Sequence, residues 1–266
     1  MGSEAGDPDE RPVHAVDLEA YWICDVPLSW ERYYALAGRP APPAWNREGQ
    51  GLTFPRLASW EAEEWKTRVP FCDDRFHRRE EVFEWDRDDA TYRTKPVVAV
   101  TWTAARLFGE FLSGEEWTYR LPSEAEWEKA ARGGRVGARY PWGDEAPRPG
   151  QIDCEAVGRM GILPSRDTPA NGYGLHAMCG GVWEWTSDYY DSTWYREPSR
   201  GGAGPPAGEG RVVRGGSWAD AAGVCTVSFR ATIEGDGLRS RYMTPTLGFR
   251  LVRVPAPVAA SEEPGA

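Results

Sequence analysis

Apolar residues recur with helical spacing in three short stretches of the chain. Ser29 begins the first stretch by capping a short helix that Gly38 ends. The apolar stripe of the second helix consists of Ala104, Ala105, Phe108, Phe111 and Leu112. Ser123 and Glu126 form a capping box at the start of the third, which the glycine pair 133–134 ends. The sequence therefore predicts three short helices.

Strand-like patterns are short and lie mostly in the second half of the chain. Residues 13–23 alternate in polarity, which predicts a strand, whereas residues 39–95 have no sustained period and are interpreted as irregular. Beyond residue 140, Gly- and Pro-rich turns separate short apolar segments that predict strands at 182–185, 211–214 and 249–252. With no repeat and no linker, the pattern favours a single α+β domain over 1–254 and a disordered tail over 255–266.

Composition excludes several classes of partner. The 266 residues include 31 Lys and Arg against 41 Asp and Glu, a net charge of −10, so neither nucleic acid nor an anionic membrane is an expected partner. Because the chain has no transmembrane-length apolar run and a polar, acidic start, we expect a cytoplasmic location. Fourteen Trp, 30 Gly and 22 Pro predict a loop-rich fold whose loops are held by large aromatic side chains.

Cysteine and histidine positions restrict the chemistry further. The five cysteines are widely spread and form no Cys-x-x-Cys pair, and none of the three histidines lies four residues from another. These spacings argue against zinc ribbons, thioredoxin-like motifs and helical His-x-x-x-His metal sites. The chain also lacks the phosphate-binding G-x-x-x-x-G-K-[ST] motif and the G-x-S-x-G nucleophile elbow.

Seven motifs in order carry a family resemblance. They are Met1-Gly2-Ser3, PVVAVTW (96–102), RLPSEAEWEKAARGG (120–134), YPWGDE (140–145), NGYGLHAMCGGVWEW (171–185), RVVRGGSW (211–218) and LGFR (247–250). This series resembles the formylglycine-generating enzymes, also called sulfatase-modifying factors, over about residues 1–254. The resemblance implies a formylglycine-generating-enzyme-type variant of the C-type lectin fold, with few short helices and short antiparallel strands.

The same resemblance points to copper chemistry, but the residues here depart from it. Oxidases of the family hold copper with two cysteines at the third and eighth residues after Gly-Gly-Ser, which here are Asp220 and Cys225. Soft thiolates select Cu(I), and a carboxylate is a poor substitute, so copper is not expected. Two interpretations of Cys225 stay open: a small buried hydrophobic residue, or a ligand or nucleophile that would be catalytic together with Asp220.

Calcium is the second feature that the resemblance implies. The family's ligand set corresponds here to Glu184 and to the backbone positions Gly180 and Val182, while Ala177 occupies the place of an Asn or Asp ligand. Loss of one side-chain oxygen should weaken the site, because calcium takes six to eight oxygens. Glu184 has the alternative role of satisfying backbone donors in its turn. Asp153 is a candidate for a second, weaker calcium site.

The loops over 187–246 are the predicted ligand-facing surface. Large aromatic and arginine side chains bury much area at modest entropic cost, and we expect ligand contacts from Trp218, Asp220, Phe229, Arg239, Arg241, Tyr242, Tyr189, Tyr190 and Trp194. Arg230 and Arg250 match fixed motif positions and are expected to hold loop carbonyls or a buried acid. The arrangement also resembles retroelement-diversified variable proteins, whose variable residues lie between Gly-Gly-Ser-Trp and Gly-Phe-Arg.

Three functions remain open at this point. The first is a binding module for a protein, peptide or small-molecule ligand, favoured because position 220 lacks a thiolate. The second is a diverged metal-dependent oxidase acting on a thiol or peptide substrate through Cys225. The third is an accessory subunit of a complex.

Overall fold

Two small sheets organise the protein. The computed structural model describes residues 1–36, 94–98, 100–157, 162–196, 202, 204–234 and 246–257. Its strands are β1 (Trp22–Ile23), β2 (Trp117–Arg120), β3 (Trp183–Tyr189), β4 (Gly210–Arg214), β5 (Arg230–Glu234), β6 (Leu247–Gly248) and β7 (Val252–Pro255). One antiparallel sheet has the order β1-β7-β2, and a second sheet has the order β5-β4-β3-β6, in which only β6 runs parallel to its neighbour. This mixture of short strands and short helices confirms the predicted fold class.

All three helical patterns correspond to helices. These are α1 (Trp30–Leu36), α2 (Trp102–Leu112) and α3 (Glu124–Arg132). The hydroxyl of Thr101 accepts the Ala104 N–H at 3.1 Å, and the Ser123–Glu126 capping box forms as predicted. Helix α3 ends at Gly133, whose φ of 56° is the left-handed conformation that glycine adopts readily. The predicted end of α1, Gly38, lies outside the described residues.

Two strand predictions were wrong in extent. Within 13–23 only β1 is a strand, because the backbone N–H groups of Val13 and His14 bond to Glu4 and Met1 rather than to a strand. The predicted strand 249–252 is replaced by β6 and β7, since the carbonyls of Phe249 and Leu251 accept N–H groups from the loop 24–28. Strand β7 also includes Pro255, so ordered structure continues past the predicted start of the tail.

Tryptophans join the helices to the second sheet. The indole N–H of Trp185 on β3 donates to the Val100 carbonyl at 2.7 Å, and that of Trp102 on α2 donates to the Thr186 carbonyl at 2.8 Å. Both rings belong to the larger hydrophobic core. Among the residues that the structure describes, no helix is long and apolar enough to cross a membrane.

A smaller core contains three of the four cysteines that the structure describes. It packs Trp127 and two alanines of α3 against Leu175, Met178 and three of the cysteines, Cys154, Cys179 and Cys225. All four cysteines in the described ranges are free thiols. The fold therefore gathers thiols from three distant parts of the chain into one apolar cluster.

Candidate functional site

Two buried arginines of the second sheet pair with buried carboxylates of α3. Arg214 donates to Glu128 at 2.6 Å, and Arg230 donates to Glu124 at 2.7 Å, so α3 is fixed to β4 and β5. Arg230 also donates to the carbonyl of Asp9 at 2.8 Å. The predicted structural role of Arg230 is confirmed. Charge-assisted hydrogen bonds compensate the burial of these charges, while Nε of Arg214 is buried without a hydrogen-bond partner.

Arg250 pairs with the residue that was expected to bind calcium. Its guanidinium donates to both oxygens of Glu184, at 2.6 and 2.7 Å, and also to the carbonyls of Cys24 and His176. The indole N–H of Trp127 donates to Glu184 Oε2 at 2.8 Å. The predicted role of Arg250 is confirmed.

These contacts correct the calcium expectation at Glu184. The carboxylate of Glu184 is fully buried, and its charge is already balanced by Arg250. Gly180 and Val182, the backbone positions of the expected calcium site, are hydrogen-bonded to each other: the carbonyl of Gly180 accepts the Val182 N–H at 3.0 Å. The residues at this position do not fit a calcium ion.

Asp153 has a different environment. Its carboxylate accepts the Leu163 N–H at 3.1 Å and lines a cavity of about 10 Å³, together with Gly180 and the hydroxyl of Ser165. That hydroxyl oxygen is buried and has no hydrogen-bond partner. A cavity of this volume accommodates one water molecule or ion. No group of three or more His, Cys, Asp or Glu side chains in the described ranges could hold a metal, so a calcium ion here would depend on Asp153 and neutral oxygens.

Asp220 closes the turn that follows Gly-Gly-Ser. Its Oδ2 accepts hydrogen bonds from both the backbone N–H and the hydroxyl of Ser217. Its backbone carbonyl accepts the N–H of Glu155 at 3.0 Å, which ties this turn to the segment containing Cys154. Asp220 therefore acts as a turn residue, and these bonds do not fit a copper ligand.

The second thiol beside Cys225 is Cys154. The thiol of Cys225 lies next to that of Cys154 and donates to the carbonyl oxygen of Ser217 at 3.6 Å. The backbone N–H groups of Ala156 and Val157 lie beside Cys154, and the Val157 N–H donates to the Cys154 carbonyl at 3.2 Å. Both residues are completely buried. Sequence reasoning missed this pair, because 71 residues separate the two cysteines and no spacing motif links them.

The two thiols of this pair differ in acidity. The neighbouring Cys225 thiol, followed by the backbone N–H groups of Ala156 and Val157, lowers the pKa of Cys154. The neighbouring Cys154 thiol and burial raise the pKa of Cys225. Burial also raises the pKa of Cys179. The pair therefore loses its first proton more readily than its second.

The expected ligand-facing residues fall into different environments. Trp218 is only 7% exposed and packs in the larger core, so its expected surface position is corrected. Phe229 is half-buried, with its ring centroid 6.1 Å from that of Trp183. Arg239, Arg241 and Tyr242 lie outside the described residues.

Of the expected ligand contacts, Tyr189 and Tyr190 also contact other side chains of the protein. The ring of Tyr189 lies 3.4 Å from the guanidinium of Arg211, and Tyr190 donates to Asp9 at 2.7 Å. Burial, and then this bond, raise the pKa of Tyr190 to about 12. Trp194 is half-buried in a short 3-10 turn, Trp194–Arg196. Tyr189, Tyr190 and Trp194 are each partly exposed. The Tyr190 ring lies beside β5, with its centroid 5.2 Å from the guanidinium carbon of Arg230.

The comparisons with known proteins agree with this architecture. A family model described as "Sulfatase-modifying factor enzyme 1-like domain" matches residues 1–255, and the chain belongs to this family. It is 40% identical over 149 residues to a formylglycine-generating enzyme of Streptomyces coelicolor, covering 51% of this chain and 46% of that protein. It is 32% identical over 253 residues to a hercynine oxygenase of Mycolicibacterium thermoresistibile, covering 84% of this chain and 49% of that protein. The chain thus spans about half or less of these relatives' length.

Solved structures show the same fold at low sequence identity. PvdO from Pseudomonas aeruginosa is 20% identical with a TM-score of 0.66, covering 95% of this chain and 89% of that one. Treponema denticola variable protein 1 is 22% identical with a TM-score of 0.59, covering 90% and 86%. At these identities the likeness establishes the fold alone.

Proposed function

We propose that this sulfatase-modifying-factor domain is a non-catalytic binding module that presents residues 187–246 to a peptide, protein or small-molecule ligand. The hydrogen bonding of Asp220 is the observation that supports this function best. Its carboxylate stands where the family's oxidases have a copper-binding cysteine, and it accepts two hydrogen bonds from Ser217. The turn is therefore held by oxygen and nitrogen groups, with no thiolate at that position.

The scaffold beneath this surface is suited to presenting loops. Strand β5 pairs with β4 over five residues and is attached to α3 through Arg230 and Glu124. Along β5, Ala231 and Ile233 pack against the larger core, and Thr232 and Glu234 on the opposite face are exposed. A strand that is fixed on its inner face, and that leads directly into residues 235–245, can hold variable side chains without loss of the core. Diversification of 219–246 by a retroelement is part of this proposal.

A selection experiment tests the binding function. The purified chain is panned against a phage-displayed random peptide library, and enriched peptides are titrated against the wild type and an R239A/R241A/Y242A variant. We expect binding to weaken at least about tenfold in the variant, since arginine and tyrosine dominate interface energies. A matched variant, R32A/R106A/L36A, removes exposed residues outside 187–246 and should bind normally.

Two further results bear on the same proposal. Formation of formylglycine from a cysteine peptide by the purified chain with copper and oxygen would refute a non-catalytic role. A near-duplicate copy of the coding sequence for 219–246 that differs mainly at adenines would support diversification. A cytoplasmic location also stays a prediction, tested by fractionation of the producing cells.

The Cys154–Cys225 pair favours a second candidate function, metal-dependent oxidation of a thiol or peptide. Two adjacent thiols are the donor set that soft Cu(I) prefers, and this pair includes the cysteine eight residues after Gly-Gly-Ser. Competition for Cu(I) against a chromophoric chelator separates the candidates. The oxidase requires one Cu(I) per chain, lost in both C154S and C225S, whereas the binding module requires no stoichiometric uptake.

A further inference from the structure

An open cavity of about 550 Å³ lies between the N-terminal segment and the C-terminal half of α3. Its walls include Val13, Leu18, Ala125 and Tyr173, and the turn 134–137 forms its rim. None of these residues belongs to the predicted surface 187–246. Volumes of 300–1,000 Å³ with largely apolar walls are typical of sites for small ligands.

Exposed apolar side chains are concentrated at this cavity. In the part of the chain that the structure describes, six large apolar side chains are exposed, and three of them, Val13, Val136 and Tyr173, line it. Val136 is 99% exposed. Apolar side chains that cluster in a concave region, rather than scattering singly, indicate a binding surface.

The rim of the cavity is cationic although the chain as a whole has a charge of −10. Lys129 and Arg135 are exposed there and form no ion pair with any residue that the structure describes. Two carboxylates also line the cavity. The charge of Glu128 is balanced by Arg132 and Arg214, and Glu4, at the N-terminal wall, accepts the Val13 N–H at 3.0 Å.

We propose that this cavity binds a small organic anion with an apolar body, such as an aromatic carboxylate. The apolar body would lie against Val13, Val136 and Tyr173. The anionic group would face Lys129 and Arg135, whose side chains have no other charged partner in the described ranges. This site is separate from the proposed ligand surface and does not depend on its function.

Calorimetric titration of the full chain with 2-naphthoate tests the proposal. We expect saturable binding of one molecule per chain. Reversal of both rim charges in K129E/R135E should weaken it at least about tenfold, because the carboxylate loses two charged hydrogen-bond donors and meets two like charges. V136D, at a fully exposed position that cannot disturb the core, should also weaken binding.

Matched controls exclude a general effect of charge. R106E/R148E changes the net charge by the same amount at two exposed arginines outside the cavity, and it should bind 2-naphthoate within about twofold of the wild type. The neutral amide of 2-naphthoic acid should bind at least about tenfold more weakly than the carboxylate. Absence of saturable binding, equal binding of the amide, or equal weakening by R106E/R148E would each overturn the proposal.

Discussion

Arg250 and Glu184 form a bidentate ion pair in which both side chains are fully buried, at 2.6 and 2.7 Å. The arginine comes from the C-terminal motif LGFR and the glutamate from β3, 66 residues earlier. The same guanidinium holds the carbonyls of Cys24 and His176. One ion pair thus joins the second sheet to two loops.

Removal of the charge on Glu184 should destabilise the protein strongly. Glu184→Gln leaves the Arg250 guanidinium buried without its counterion, and we expect the free energy of unfolding to fall by about 3–5 kcal/mol. Urea denaturation measures this change. Glu110→Gln is the control, because it breaks the exposed pair with Arg106 and should cost no more than about 1 kcal/mol. A Glu184→Gln variant as stable as the control would contradict this account.

Calcium binding should depend on Asp153. Asp153→Asn removes the one carboxylate of the small cavity beside Ser165, and we expect it to abolish any calorimetric heat of calcium binding. At a calcium concentration one hundred times the Kd, bound calcium would stabilise the wild type by about 2.7 kcal/mol relative to chelator. Asp144→Asn, at an exposed turn, should retain this response. A wild type with no response to calcium would disprove the site.

The donor at position 225 should control the acidity of Cys154. Cys225→Ala removes the neighbouring thiol that lowers the pKa of Cys154, so this pKa should rise. Cys225→Ser keeps a hydrogen-bond donor and should leave the pKa low. The ultraviolet absorbance of the thiolate as a function of pH measures both variants. Cys24→Ser, outside the cluster, controls for the other thiols; equal pKa values in the alanine and serine variants would argue against the hydrogen bond.

Asp188 should make stability fall as the pH rises above about 5. Burial raises its pKa to about 7, although the backbone N–H groups of Glu124 and Gly204 partly oppose this shift. The folded state therefore keeps a proton that the unfolded state loses near pH 4, and it loses stability until the pH reaches about 7. Between pH 5 and 7 this amounts to about 2–3 kcal/mol.

Urea denaturation of the wild type and Asp188→Asn across this pH range tests the effect. Asn has no proton to lose, so the difference in stability between the two proteins should change in favour of the variant as the pH rises. The charges of Glu124 and Glu126 face Asp188 in both proteins, and they are therefore common to the comparison. A pH-independent difference would show that Asp188 does not titrate in this range.

Local signals predicted the elements that depend on local chemistry. The capping box of α3 and its end at Gly133 require only residues within one helix, and both form as predicted. The extents of the strands were less predictable. Residues 13–21 alternate in polarity as a strand would, but strand formation needs a partner strand, and the backbone N–H groups of Val13 and His14 bond to Glu4 and Met1 instead.

The sequence by itself determined the family, the mixed fold of short elements, and the absence of a thiol at position 220. Only the tertiary structure decided that Glu184 pairs with Arg250, that Cys154 lies beside Cys225, and that an apolar cavity has a cationic rim. The physical reason is that a sequence motif consists of residues at fixed spacings along the chain, so it can be identified without a structure. Ion pairs, thiol contacts and cavities instead depend on which side chains, distant in sequence, pack together in the folded core, and local spacing does not specify those contacts.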